Sequence, residues 1–64
     1  MNQETIGKQI KDRRRNLKLT QQELADLAEV NINTIVSLER GEGNPKIQTV
    51  FHVCEVLGME IVLK

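Results

Sequence analysis

Apolar residues recur at helical spacing through most of this chain and switch to strand spacing near its end. In segment 3–18, Ile6, Ile10 and Leu17 fall on one side of a helix. Thr20 followed by Glu23 is a capping box, in which each residue's side chain satisfies the other's backbone N–H at a helix start. Leu19 and Leu24 occupy the hydrophobic staple positions around it. A second helix therefore starts at Thr20, with Leu24, Leu27 and Ala28 facing in. Asn31 suits the N-cap of a third helix, Ile32–Arg40, and Gly41 suits its stop. The run GEGNP is a loop. A fourth helix runs from Pro45 or Lys46 to Leu57, with Ile47, Val50, Phe51, Cys54 and Leu57 as its inward stripe, and Gly58 ends it. Residues 60–64 alternate at period two, which predicts a strand. The expected architecture is all-α, four short helices in one domain, with one added C-terminal strand.

Size changes how that architecture is held. A chain of 64 residues builds a marginal core. Cys54 is the only cysteine, so no internal disulfide can help, and one His with one Cys makes no metal site. A partner chain is the expected source of added stability. The polar, charged start MNQETIGKQIKDRRR has no apolar run of signal-peptide or membrane-spanning length, which suggests a soluble cytoplasmic protein with no membrane partner. Net charge is zero, but residues 1–18 carry six basic against two acidic side chains, and residues 19–64 carry three against seven. The basic half can still face an anion.

Two short helices joined by a tight turn are common in small bundles. The positions around this turn are more specific. Ala25 is small where two helices must approach, Val30 follows the turn, and Ile35 and Leu38 face inward from the third helix. That spacing is the one a DNA-binding helix–turn–helix uses. Through Ile10, Arg14, LTQQELA, Ala28, Val30, Ile35, the run Leu38-Glu39-Arg40-Gly41, Asn44-Pro45 and Leu57-Gly58, the chain resembles the Xre/Cro–C1-type helix–turn–helix family. The resemblance covers Ile6 to Gly58 and implies a compact four-helix, lambda-repressor-like domain that binds operator DNA as a dimer. Three positions depart from the family pattern. Glu29 stands in the turn where Gly is common. Arg13 replaces an aliphatic residue, so its stem is expected along the core with the guanidinium in water. Lys46 replaces a Ser/Thr cap, a task then expected of Asn44 with Pro45.

With Ile35 inward, Ile32, Asn33, Val36, Ser37 and Arg40 fan across the outer face of the third helix. A recognition helix lays that face in the major groove. Asn33 suits an adenine edge, Ile32 and Val36 suit thymine methyls, Ser37 donates or accepts, and Arg40 can reach a guanine or a phosphate. Thr20, Gln21 and Gln22 start the second helix, where free N–H groups favour anions. The family match makes Gln21 the leading phosphate clamp, followed by Asn44 and Lys46. Arg15 and Lys18 are weaker candidates for the DNA backbone. Arg14 points to the core side of its helix and Glu39 lies near Ile35 on its own, and the resemblance supports pairing them as a structural ion pair.

No enzyme is expected. His52 and Cys54 sit two apart on a helix and point about 160° from each other, so they form no dyad. No cofactor motif is present either. The tail suggests a homodimer instead. Val56 lies opposite the expected stripe of the fourth helix and Val53 at its edge. In the tail, Met59, Ile61 and Leu63 take one face and Val62 the other. An unpaired apolar strand is a liability that pairing with a second copy removes. These readings divide the chain into a DNA-binding unit, 1–58, and a dimerisation strand, 59–64. Val53, Val56, Met59, Ile61, Val62 and Leu63 form the expected interface. The leading function is a repressor on a palindromic operator in double-stranded DNA. The alternative is an antitoxin that neutralises a partner toxin and represses its own operon, because the tail is similar to that of HipB-like antitoxins.

Overall fold

The computed structural model describes residues 2–60. They form α1 (Gln3–Asn16), α2 (Gln21–Ala28), α3 (Ile32–Arg40) and α4 (Ile47–Val56). The architecture is all-α with four helices, as the apolar spacing predicts. Among the described residues there is no strand. The predicted strand lies outside the described residues but for Glu60, and with it Ile61, Val62 and Leu63 of the expected interface.

The helix ends follow short-range chemistry. Asn2 caps α1, its Oδ1 accepting from the Thr5 N–H at 2.8 Å. Thr20 and Glu23 form the predicted capping box. Asn31 caps α3 by accepting from the Asn33 N–H at 2.8 Å. All four helices stop in one way: the backbone turns left-handed at Lys18, Glu29, Gly41 and Gly58. The N–H groups of that residue and the next then satisfy carbonyls of the final turn, as in Gly58 to Glu55 and Met59 to Cys54. Lys18 and Glu29 hold φ of 59° and 56° without being glycine. A Cβ makes that region costly, by about 1–2 kcal/mol.

α1 packs on α3, α3 on α2, and α2 on α4. Ile10, Leu24, Ala25, Ala28, Ile35, Leu38, Val50, Val53, Cys54 and Leu57 form the buried core. Gly7 lets α1 and α3 approach closely: a Cβ there would lie 2.2 Å from the Leu38 carbonyl oxygen. Arg13 has a role beyond the one expected. Arg13 is exposed, and its Nε also donates to the Leu57 carbonyl at 2.9 Å, tying the end of α1 to the end of α4.

The inward face of α4 also needs correction. Its buried stripe is Val50, Val53, Cys54 and Leu57, while Ile47 and Phe51 are 59% and 40% exposed. The helix is turned about 50° from the expected orientation, so Val53, expected at the edge of the stripe, is fully buried in its own chain's core. Val56 and Met59 are half-buried against the same core. Leu17 and Leu27, expected inward, are exposed. Lys46 occupies the α4 cap position with no side-chain hydrogen bond, so Asn44 does not supply the cap. No helix among the described residues is long and apolar enough to cross a membrane.

Candidate nucleic-acid interface

Residues 20–41 set two helices at a fixed angle through three local devices. Thr20 Oγ1 accepts from the Glu23 N–H at 3.0 Å, and Glu23 Oε1 accepts from the Thr20 N–H at 2.8 Å. Glu29 turns left-handed, and the Val30 N–H returns to the Ala25 carbonyl at 3.0 Å. Asn31 then opens α3. Ala25 and Ile35 are buried where α2 meets α3, and Val30 packs half-buried beside them.

The outer face of α3 comes out as expected in direction, with graded exposure. Asn33 and Arg40 are exposed, whereas Val36 and Ser37 are half-buried. Ile32 is half-buried and packs against the core, so less of it faces outward than a fully solvated position would offer. Asn33 and Ser37 line a cleft of about 280 Å³ with Thr34, Leu38, Glu42, Gly43, Asn44 and Pro45. The structure thus brings the loop candidate Asn44 beside two base-reading candidates. Lys46 is exposed just beyond that cleft lining.

The start of α2 is more constrained. Thr20 Oγ1 is engaged in its cap. Gln22 Nε2 donates to Asp26 Oδ1 at 2.9 Å along the same helix. Gln21 Nε2 donates to Glu39 Oε1 at 3.2 Å. That carboxylate is the hub of a buried network. Arg14 donates to it twice, Nε to Oε2 at 2.6 Å and Nη2 to Oε1 at 3.0 Å. Arg14 Nη1 also donates to the Leu19 carbonyl at 2.8 Å. The hydrogen-bonded carboxylate holds the guanidinium's pKa above its ordinary value. No buried side-chain nitrogen or oxygen among the described residues lacks a partner. Arg14 and Glu39 therefore join α1, the linker before α2, and α3, with the Arg14 side chain turned into the protein. Arg15 and Lys18 remain exposed at the end of α1.

Two residues escaped the sequence reading. Gln3 Nε2 donates to the Glu42 and Gly43 carbonyls, both at 2.9 Å, and so ties the loop beside the cleft to the start of α1. Nothing local marks a glutamine whose partners lie 39 and 40 residues away. Gly7 was legible in principle, because an isolated glycine inside a helical pattern usually has a packing reason. Burial pushes the Cys54 thiol up in pKa, and His52 is exposed, which keeps the two apart as their spacing implies.

Comparison with known proteins places this geometry. The Helix-turn-helix family model matches residues 10–63. The chain is 35% identical over 57 residues to the immunity repressor protein of Bacillus phage phi105, covering 89% of this chain and 40% of that one. It is 37% identical over 51 residues to an uncharacterised HTH-type transcriptional regulator of Methanothermobacter thermautotrophicus, covering 80% of this chain and 74% of that one. The chain thus spans less than half the length of the phage repressor. It belongs to the helix-turn-helix family.

Proposed function

We propose, from that family membership, that this protein is a sequence-specific DNA-binding transcriptional regulator, acting as a repressor that grips a palindromic operator as a homodimer. The observation that carries the reading is the α2–turn–α3 unit, rigidly capped, with Asn33, Val36, Ser37 and Arg40 on the side of α3 turned away from the core. Those side chains read base edges in the major groove, with Ile32 contributing only its outward edge. Thr20, Gln21 and Gln22 hold one phosphate at the start of α2, and Asn44 and Lys46 hold another beyond α3. Names of the relatives, one a repressor and one a transcriptional regulator, support the same reading.

Residues 1–58 serve as the DNA-binding unit and 59–64 as the dimerisation segment, with Val56 and Met59 at its root. Two copies related by a twofold axis present their α3 helices about 34 Å apart, one turn of the duplex. The test joins sedimentation with titration onto fragments of the protein's own promoter at several salt concentrations. A dimer that prefers one palindromic fragment, with affinity falling as salt rises, is the expected result. A dimer indifferent to sequence would transfer the role to a protein partner such as a toxin, and a monomer would remove the dimerisation segment from the proposal.

A further inference from the structure

Four hydrogen bonds surround the charges of the buried pair Arg14–Glu39: two join the pair, one runs from Arg14 to the Leu19 carbonyl, and the fourth comes from α2. Glu39 Oε1 also accepts from Gln21 Nε2 at 3.2 Å, and Gln21 is the first residue of α2. Gln21 is half-buried, while Glu39 is buried. A carboxylate beneath a helix start would by itself repel an incoming phosphate and offset the helix dipole. Here the two-point contact from Arg14 neutralises it. What reaches the start of α2 is therefore a neutral amide anchored on a compensated ion pair.

We infer that Glu39, held by Arg14, is a positioning residue for DNA binding: it fixes the Gln21 side-chain amide so that its second N–H is set for a backbone phosphate before DNA arrives. The inference rests on the proposed phosphate role of Gln21 and adds a cause for its geometry. A glutamine side chain free in solution loses several rotamers when it clamps a phosphate, and that loss weakens binding. One bond to Glu39 removes most of that freedom in the unbound protein. The network thus serves two purposes, joining α1 to α3 and ordering one DNA contact. It also links the recognition helix to the phosphate clamp, because Glu39 belongs to α3 and Gln21 to α2.

The test has one arm without DNA and one with it. In the free protein, the Gln21 side-chain amide is expected to give two well-separated, rigid N–H resonances by NMR. Glu39→Gln is expected to leave its carbonyl to Arg14 and release Gln21, whose resonances then move to free-amide positions and become mobile. In the second arm, a mixed-sequence duplex is titrated at low salt with wild type, Gln21→Ala, Glu39→Gln and the double variant. Removing the carboxylate adds the same charge in either Gln21 background, so the cycle cancels that effect. The expected coupling is about three- to tenfold in affinity, within the range of one typical intramolecular hydrogen bond. A Gln21 amide that ignores Glu39→Gln overturns the inference outright. A released amide with no coupling in DNA affinity also overturns it, since the ordering then serves nothing. A responsive amide in a protein that binds no duplex overturns the DNA reading while upholding the contact between the two residues. Glu39→Asp takes its place if Glu39→Gln fails to fold: it keeps the charge that Arg14 needs, draws the carboxylate back from Gln21 by one methylene, and leaves Gln21 itself unchanged, with the same two readouts and the same outcomes.

Discussion

In the helix–turn–helix segment, both helices start on a side-chain cap, Thr20 for α2 and Asn31 for α3. α4 starts on Lys46, which has no side-chain acceptor to offer and makes no cap. The first region is also crossed by the Arg14–Glu39–Gln21 network. α4 is held by Val50, Val53, Cys54 and Leu57 in the core and by the Arg13 bond to its last turn. Polar devices fix the helix–turn–helix in one arrangement, because a cap or a two-point ion pair works in a single geometry. Along most of its length α4 is fixed by apolar burial, and area is direction-tolerant. That contrast suits a protein whose first region must present side chains at set distances.

The largest expected effect tests the polar half. Arg14→Ala leaves the Glu39 carboxylate buried without its charge partner, which costs about 3–5 kcal/mol. Urea unfolding followed by circular dichroism should show a midpoint near or below zero denaturant for a domain this small. Unchanged melting together with lost DNA binding would overturn the structural assignment and make Arg14 a direct DNA contact. The next effect tests the apolar half. Val53→Ala removes methyl groups from a fully buried site and should cost about 2 kcal/mol, whereas Phe51→Ala, partly exposed, should cost less than about 1.5 kcal/mol. A reversed ranking would mean that α4 turns its Phe51 side to the core, as its apolar spacing alone suggests.

That pair of variants isolates what the sequence could and could not tell. Several helix starts and stops were legible because a cap involves residues only two to five apart: the Thr20–Glu23 box, Asn31, Gly41 and Gly58 all appear where the pattern places them. The outward direction of α3 was legible for a similar reason, since Ile35 and Leu38 fix one side of a short helix. The facing of α4 was not. Ile47, Val50, Phe51, Val53, Cys54, Val56 and Leu57 cover most of its circumference, so several stripes fit the spacing, and the choice is made by α2 rather than by α4 itself. Gln3 and Arg13 were illegible for another reason. Both act by donating to backbone carbonyls more than thirty residues away, and a carbonyl carries no sequence signature.

Within the helix–turn–helix region, one position breaks its own rule. Glu29 occupies the left-handed turn residue, φ 56°, where glycine has no Cβ to clash. Glu29→Gly should raise stability by about 0.5–1 kcal/mol, the left-handed cost less the extra flexibility that glycine gives the unfolded chain. Thermal melting measures it, and a fall in melting temperature would mean that the Glu29 side chain makes a compensating contact.

The smallest effect separates stability from function at the start of α4. Lys46 stands where an acceptor would cap the helix, and it also stands exposed beside the loop that carries Asn44. The two tasks favour different chemistry, because a cap needs an oxygen that accepts from backbone N–H groups, whereas Lys46 offers a phosphate a charged donor. Lys46→Ser should therefore gain about 0.5–1 kcal/mol in stability from the new cap. It should also weaken duplex binding for all sequences alike and reduce the slope of log affinity against log salt by about 0.9, the loss of one phosphate contact. Melting and salt titration on the same variant read the two effects independently. A gain in stability with an unchanged salt slope would make Lys46 a missing cap and nothing more. A gain with a shallower slope would mean that α4 goes uncapped because its first position is a DNA contact.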